Sequence, residues 1–400
     1  MSETRDDRCR GQEQGSQFLT RAHAELRRGV RGVCARFPNE YWRELDVRRR
    51  YPEEFVRAMS EAGYLAALVP EEYGGMGLDL PAACAILEEV NRSGANAGPA
   101  HAQMYTMGTL LRHGSERQKR EYLPRVASGE LRLQAFAVTE PEAGTDTAST
   151  RTTASREGDH YVVNGSKIYI SRVEQSDLMV LLARTTPLEE VEKRTRGLSV
   201  FLVDLRDARE GLTVEPRRVM MNNATNELRF ENVRVPAQGL IGEEGEGFRY
   251  ILDGMNAERI LIAAECIGDG RFFIDRATRR AGEREVFGRP IGKNQGVQFP
   301  IAGAYARVEA ASLMVERAAS LFEVGEPCGA EANLAKLLAA EASWEAANVA
   351  MQTFGGYGFD PEYDVERKFR ETRLFKVAPI STNLILSYVG EHVLSLPRSF

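Results

Sequence analysis

The chain has 400 residues, of which 43% are hydrophobic and 28% are charged, the balance of an ordinary globular protein with a large core. Its formal net charge of -6 argues against nucleic acid or an anionic membrane as the main partner and favours small molecules or proteins. Residues 1–17 are polar, so we expect a disordered tail rather than a signal peptide or membrane anchor. The five cysteines show no Cys-x-x-Cys spacing, which predicts a reduced, zinc-free protein of the cytoplasm.

Residues 18–133 have the apolar spacing of helices. One amphipathic helix is predicted to begin after Pro52 and to end near Gly63. A second is predicted to begin at Asp79, a good N-cap residue ahead of Pro81. We therefore predict an N-terminal helical domain over residues 18–133.

Residues 134–247 consist of short apolar runs separated by turn residues, the pattern of strands. The strongest local signal is Asn164-Gly165 between two β-rich arms, a pair typical of a two-residue hairpin turn. Four later segments also read as strands: "DLMVLLAR", "GLSVFLVDL", "GLTVEP" and "NELRFENVRVP". This pattern predicts a β domain inserted between two helical regions.

Residues 248–400 return to the helical period. Four long helical stretches are predicted, near residues 248 to 281, 296 to 323, 329 to 354 and 364 to 396. The third should end before Gly355-Gly356, since a positive φ costs glycine little. An antiparallel bundle is the natural packing of such helices.

Three short stretches suggest ligand binding, each with a plainer explanation. "AFAVTEPEAGTDTAS" breaks from a strand into a turn whose hydroxyls and N–H groups suit a polar heterocycle or a phosphate, but an ordinary β-turn uses the same residues. "EREVFGRPIGKNQGVQ" places Arg284 and Arg289 around a helix end, where they could grip a pyrophosphate or face solvent. "GGYGF" permits close approach of a ligand, or simply caps a helix. No dinucleotide-binding or P-loop pattern occurs.

Taken in order, these stretches resemble the acyl-CoA dehydrogenase family over about residues 20 to 396. Seven motifs fall at the spacing of that family: "VTEPEAGTD", "NGSKIYIS", "FENVRVP", "GEEGEGF", "EREVFGRPIGKNQ", "MQTFGGYGF" and "ERKFRETRLF". The resemblance implies an α+β, mainly α fold: an N-terminal helical domain, a central antiparallel β-barrel-like domain over residues 134–247 and a C-terminal four-helix bundle. It also implies FAD, held non-covalently between subunits of a homotetramer.

By position, the resemblance assigns FAD contacts to two groups of residues. Residues of the central domain would line the flavin and its ribityl chain, with the last of them offering its hydroxyl to flavin N5: Phe136, Val138, Thr139, Gly144, Thr145, Tyr169, Ile170 and Ser171. Residues of the C-terminal domain would hold the adenine and pyrophosphate half across the subunit interface or otherwise contact FAD: Arg284, Phe287, Gln295, Gln352, Gly356, Ser381 and Asn383. Tyr169 replaces the usual tryptophan near the flavin edge, which leaves the electron acceptor open.

The family reaction removes an α-proton with a carboxylate while flavin N5 accepts a β-hydride. Most members carry that glutamate in a turn where this chain has Pro379, which cannot act as a base. In the isovaleryl and long-chain branches the base precedes an arginine on the first long C-terminal helix, the place of Glu258 and Arg259 here. Apolar neighbours at helical spacing should raise the pKa of Glu258 towards a useful range. The alternatives are a structural ion pair for Glu258, and Glu265 as the base.

Pro379 also lacks the backbone N–H that, in the family, helps a ribityl hydroxyl to hold the thioester carbonyl. The N–H of Ile380 or the hydroxyl of Ser381 could replace that donor. Thr145 and Arg259 are assigned to substrate contacts, the latter orienting the site or the polar tail of the thioester.

The resemblance therefore predicts an FAD-dependent acyl-thioester α,β-dehydrogenase that makes a 2-enoyl product from acyl-CoA or acyl-carrier protein and reduces an electron-transfer flavoprotein. A flavin oxidase or oxygenase on the same fold is the first alternative, and a non-catalytic FAD-stabilised scaffold is the second. His101, Gln103 and Tyr105 on the predicted pocket floor suggest a polar group on the acyl chain or ordinary hydrogen-bonded core residues.

Overall fold

The computed structural model describes residues 23–208 and 210–398 of the chain. The predicted tail over residues 1–17 lies outside the described residues. Helices come first, a sheet follows, and long helices complete the described chain. No helix within these two ranges is long and apolar enough to cross a membrane.

The first part contains six α-helices: α1 Ala24–Cys34, α2 Asn39–Arg48, α3 Glu53–Glu61, α4 Leu80–Arg92, α5 Gly98–His113 and α6 Glu116–Ala127. Pro52 is the N-cap of α3, and Gly63 follows its end with φ of +79°. The Asp79 carboxylate caps α4 by accepting a hydrogen bond of 2.8 Å from the Ala82 N–H. The helix signals predicted at these three positions are confirmed.

The central part is a sheet of eight strands: β1 Leu133–Ala137, β2 Thr153–Glu157, β3 His160–Ser171, β4 Leu178–Arg184, β5 Leu198–Asp204, β6 Leu212–Pro216, β7 Thr225–Pro236 and β8 Leu240–Ile241. Their order is β6-β7-β3-β2-β4-β5-β8, with β1 beside β4. Most neighbours are antiparallel, but β4 runs parallel to β1 and, at one paired position, to β2. Every residue of β4 is buried, as its nearly unbroken apolar run requires.

The hairpin predicted at Asn164-Gly165 is wrong. β3 runs unbroken through both residues, and the turn that joins β2 to β3 is formed by Gly158 and Asp159. Gly165 instead lies at a bulge opposite β7 with φ of +140°, where a Cβ would be 2.7 Å from the Cα of Thr152. The glycine is needed because another backbone passes close by, a tertiary contact that a local turn signal cannot reveal.

Three of the four long helical stretches are single helices: α7 Gly247–Glu283, α8 Gln295–Glu323 and α9 Gly329–Phe354. The fourth prediction, one stretch over residues 364 to 396, is wrong in detail, because it is divided into α10 Val365–Thr372 and α11 Thr382–Tyr388. Pro379 lies between them and has no N–H with which to continue a helix. Ser381 then begins α11 as its N-cap.

Apolar packing brings α5, α7 and the sheet together. One core joins the N-terminal helices to α7, α8 and α9, with Ile86, Ile260 and Phe273 among its buried residues. A second core fixes α5, α6 and the start of α7 to one face of the sheet, and a third covers the other face. Because α5 packs against both β1 and α7, side chains from these three elements meet at one place.

Candidate active site

Glu258 is a buried carboxylate on α7 with no ion-pair partner among the residues that the structure describes. Its exposed fraction is 6%, and its Oε2 atom has no hydrogen-bond partner in the described residues. Burial raises the pKa of Glu258 to about 7, although the charges of His101 and Arg259 act in the opposite direction. A carboxylate in this state can accept a proton near neutral pH. The structure shows no ion pair of the kind that a purely structural role for Glu258 would require.

Arg259, the next residue, makes no ion pair with Glu258 in the described residues. Its Nη1 donates to the Oδ1 atom of Asn256 at 2.9 Å, and its buried Nε has no partner among residues 23–208 and 210–398. Burial lowers the pKa of this guanidinium. Consecutive helical residues point about 100° apart, which explains why this pair does not neutralise itself. The guanidinium is therefore left with donors for a ligand.

Glu265, the second candidate for the base, lies two turns further along α7 and does have a partner. Its Oε1 atom is 2.6 Å from Nδ1 of His101 on α5, and both side chains are buried. The backbone carbonyl of Glu265 also accepts a hydrogen bond of 3.2 Å from Asn91. α7 carries three buried carboxylates: Glu265 lies against His101, Asp269 lies 2.7 Å from Lys368 Nζ, and Glu258 has no such neighbour in the described residues.

The turn that carries Pro379 is tied to α9. Lys336 Nζ donates to the carbonyl of Ile380 at 2.7 Å, and burial lowers the pKa of this lysine to about 8. The Ser381 Oγ accepts from the Leu384 N–H at 3.4 Å, so its oxygen caps α11. The Ile380 N–H makes no hydrogen bond to another described residue. Both donors predicted to replace the missing N–H of Pro379 therefore keep a hydrogen: the free N–H of Ile380, and the Ser381 hydroxyl, whose oxygen only accepts.

The first group of predicted FAD residues lies at the end of β1 and in the loop after it. The rings of Phe136 and Tyr105 are 5.1 Å apart, which places this loop beside α5. The carbonyl of Thr139 accepts from the Ile168 N–H at 2.9 Å, while Val138 is half-buried and Gly144 and Thr145 are exposed. Backbone and hydroxyl groups along such a loop suit a polar cofactor.

A buried ion pair that sequence reasoning missed holds this loop in place. Lys167 Nζ lies 2.8 Å from Glu140 Oε1 and also donates to the Val138 carbonyl at 3.0 Å. The same carboxylate accepts the backbone N–H groups of Arg151 and Thr152 at 2.7 and 3.0 Å. The only signal in the sequence was the isolated lysine within the apolar run of β3.

Tyr169, Ile170 and Ser171 form the end of β3. Tyr169 is 59% exposed and has φ of +59°, while Ile170 is buried. The Ser171 Oγ accepts a hydrogen bond of 2.8 Å from the Asn223 side-chain amide. Because an oxygen that accepts from Asn223 can still donate its own hydrogen, Ser171 fits the predicted role of donor to flavin N5.

Most of the second group of predicted FAD residues lie on the surface of the single chain. Arg284, Phe287, Gln295, Gln352, Gly356 and Asn383 are all exposed, Phe287 completely, whereas Ser381 is half-buried. Arg284 follows α7, 26 residues beyond Glu258, which corresponds to about 39 Å at 1.5 Å per residue. The Arg284 side chain makes no ion pair within the described ranges. Arg284 therefore does not share one small site with Glu258 within a single chain.

Comparison with known proteins gives consistent matches along the chain. Family models for the N-terminal, middle and C-terminal domains of acyl-CoA dehydrogenases match residues 20–130, 135–233 and 245–393. An acyl-CoA dehydrogenase of Bacillus subtilis is 37% identical over 332 residues, covering 82% of this chain and 86% of the relative.

Two solved structures are similar in fold as well as sequence. A glutaryl-coenzyme A dehydrogenase in complex with glutaryl-CoA superposes with a TM-score of 0.88 at 31% identity, covering 94% of this chain and 96% of that one. The prolyl acyl carrier protein oxidase AnaB superposes with a TM-score of 0.86 at 26% identity, covering 93% and 98%.

Proposed function

Because the chain belongs to the acyl-CoA dehydrogenase family, we propose that it removes two hydrogens from the α and β carbons of an acyl thioester, with Glu258 as the base. The family consists of oxidoreductases, and FAD is the cofactor. The observation that carries the proposal is the buried Glu258 carboxylate, free of any hydrogen-bond partner at Oε2 and with its pKa raised to about 7.

In the proposed reaction Glu258 takes the α-proton of the acyl thioester. The electron pair of that C–H bond forms the α,β double bond as a hydride leaves the β-carbon, so the product is a 2-enoyl thioester. FAD, when bound, supplies the hydride acceptor. The apolar surroundings of Glu258 exclude water and keep the carboxylate basic enough to act near neutral pH.

Two features of this chain support the binding of FAD and substrate. The hydroxyl of Ser171 is available to donate to the flavin, and the loop from Phe136 to Thr145 offers backbone and hydroxyl groups beside it. The free N–H of Ile380 is proposed to donate to the thioester carbonyl, in place of the N–H that Pro379 lacks. Lys336 holds this turn in position by donating to the Ile380 carbonyl. Arg259 is proposed to orient the thioester or its polar tail.

The exposed FAD residues after α7 are proposed to serve a neighbouring subunit of a homotetramer. Arg284 lies about 39 Å along the helix from Glu258, too far to share its small site. Phe287 is fully exposed in the single chain, an unusual state for a large apolar ring that an interface would relieve. The carrier of the acyl group is proposed to be coenzyme A or an acyl carrier protein, and the electron acceptor an electron-transfer flavoprotein.

A flavin oxidase is the second candidate function. Tyr169, in the place of the usual tryptophan, is 59% exposed, so the predicted flavin edge has a different shield from that of most relatives. The similar fold of a prolyl acyl carrier protein oxidase supports the same alternative. An oxidase would pass its electrons to oxygen rather than to a flavoprotein.

An anaerobic titration of the purified holoenzyme with acyl-CoA compounds tests the proposal. At least one acyl thioester should bleach the yellow flavin and yield a 2-enoyl product, and Glu258→Gln should abolish the bleaching. A wild-type flavin that no acyl thioester reduces would contradict the proposal. Reoxidation in air with stoichiometric peroxide would favour the oxidase.

A further inference from the structure

Arg172 directly follows β3 and is a buried guanidinium that the proposed reaction does not use. Its exposed fraction is 8%, and its backbone adopts φ of +60°, a conformation that is uncommon for a residue with a side chain. The Arg172 N–H donates to the Ala224 carbonyl at 2.8 Å, and its Nη2 donates to the Asn223 Oδ1 at 2.7 Å. The side chain is thus held at a fixed place inside the protein.

Arg172 lacks the partners that the other buried arginines of the described residues have. Arg27, Arg271 and Arg367 all form ion pairs with glutamates, and Arg184 donates to four backbone carbonyls. The Nε and Nη1 atoms of Arg172 have no acceptor in the described part of the chain. A buried charge is costly unless it is paired, so this guanidinium is suited to an anionic ligand.

The guanidinium borders a small cavity between α2, α5 and the loop before β7. The cavity has a volume of about 30 Å³, room for roughly two water-sized groups, and Tyr51, Asn96 and Asn223 line it with Arg172. Two acidic residues also contribute to the wall, but Asp46 is paired with Arg370 and Glu371 with Lys368 and Arg367. Two cations on this wall, Arg50 and Arg172, have no ion pair in the described residues, and of the two only Arg172 is buried. Burial lowers the pKa of Arg172, and the charge of Glu265 acts in the opposite direction without contacting the guanidinium.

Tyr105 connects this place with the proposed base. Burial and then the charge of Glu258 raise the pKa of the Tyr105 phenol, while the charge of Arg172 lowers it, because both charges lie near the ring. The ring also contacts Phe136 at 5.1 Å. Gly98, which packs against the Arg172 guanidinium, lies on the same face of α5 as His101 and Tyr105, at positions i, i+3 and i+7. An acyl group lying along this face, with its α-carbon at Glu258, would extend past Tyr105 towards Arg172.

Gly98, the first residue of α5, leaves the space that the Arg172 side chain fills. A Cβ on Gly98 would lie 2.3 Å from Nη2 of Arg172, so a larger residue would displace the guanidinium. The Asn96 side chain accepts from the Gly98 N–H at 2.8 Å and fixes the backbone there. Gly98 and Asn96 therefore leave space for the Arg172 guanidinium beside the cavity.

We propose that Arg172 binds a carboxylate at the far end of the acyl group, so that the substrate is the monothioester of a short dicarboxylic acid. The two oxygens of a carboxylate match the unused donors of the guanidinium and the size of the cavity. This inference rests on the proposed function, because it places the other end of the same acyl group at Glu258.

The test measures anaerobic flavin reduction of the holoenzyme by two series of CoA thioesters. The carboxylated series is glutaryl-, adipyl- and pimelyl-CoA. The neutral series is pentanoyl-, hexanoyl- and heptanoyl-CoA, which have the same chain lengths. The quantity compared is the rate constant of flavin reduction divided by the Kd of the compound. In the wild type, this ratio should be at least about 10-fold higher for one or more carboxylated compounds than for the neutral compound of the same chain length. Arg172→Gln should lower that value by about 10- to 100-fold for the carboxylated compound and change it little for the neutral one.

Gly98→Ala is the second variant, since it displaces the guanidinium without removing it and should cause the same selective loss. FAD content and melting temperature, measured for each variant, show whether it has folded. Wild-type preference for the neutral series, or an equal loss for both series in a folded Arg172→Gln, would overturn the inference while leaving the proposed function intact. If neither series reduces the wild-type flavin while another acyl thioester does, the inference fails and the proposed function stands; if no acyl thioester reduces it, both fail.

Discussion

His101 and Glu265 lie 2.6 Å apart across the interface of α5 and α7, and this contact distinguishes Glu265 from Glu258, the other candidate base among the buried carboxylates of α7. The His101 imidazole beside Glu265 compensates its burial in part, although Glu265 Oε1 accepts no hydrogen bond in the described residues. Glu258, two turns earlier, has no hydrogen-bond partner at Oε2 in these residues, and the pKa of its carboxyl is raised to about 7. Glu258 is therefore the better candidate for the group that accepts the α-proton.

Replacement of Glu258 by glutamine should abolish flavin reduction while keeping the fold, FAD and acyl-thioester binding. General bases typically contribute about 10² to 10⁴ in rate, so a loss of that size is expected in anaerobic stopped-flow reduction. Glu265→Gln is the matched control on the same helix, and its loss should be much smaller. The reverse order of the two losses would identify Glu265 as the base.

The same variant should change how thermal stability depends on pH. The pKa of Glu258 is about 7 in the folded chain against an ordinary value of 4.5, so the wild type loses stability as pH rises between these values and Glu258→Gln does not. Above pH 7 this difference in pKa lowers the free energy of unfolding of the wild type by about 3 kcal/mol relative to its value below pH 4.5. The melting temperature of the variant relative to the wild type should therefore rise between pH 4.5 and pH 8. A constant difference over that range would contradict the raised pKa.

Pro379→Ala and Pro379→Gly should leave the rate of flavin reduction almost unchanged. The reason is that the N–H of Ile380 is free and its carbonyl is held by Lys336 at 2.7 Å, so a donor for the thioester carbonyl is already present. Loss of one such donor typically costs about 10² to 10³ in rate. A large rise in rate in the variants would show that no substitute exists. A large loss with FAD intact would show that the proline shapes the pocket.

Arg284→Ala should lower FAD occupancy and weaken the oligomer together. The exposed guanidinium has no ion-pair partner in the described chain, and we propose that it binds the pyrophosphate of FAD in a neighbouring subunit. Flavin absorbance per chain and sedimentation velocity measure the two effects. Arg117→Ala, a change at another exposed arginine that contacts Gln238 in its own chain, is the control. Full flavin content in a stable monomer of the wild type would contradict the subunit arrangement.

The sequence by itself determined the order of the structural regions and the position of Glu258 on a buried helix. The helix signals at Pro52, Gly63 and Asp79 depend on capping chemistry within a few residues, and these local effects do not need the rest of the fold. Burial of Glu258 followed from apolar residues at helical spacing on both sides, which also act along one element.

Only the tertiary structure decided the features that depend on residues distant in the chain. Gly165 serves a close approach to Thr152 instead of a hairpin, and Glu265 is compensated by His101, a residue of another helix. The burial of Arg172 without an ion-pair contact in the described residues likewise results from the meeting of β3, α5 and the loop at Asn223. Sequence spacing does not encode such distances, because the free energy of a buried charge or a close contact depends on which other elements pack around it.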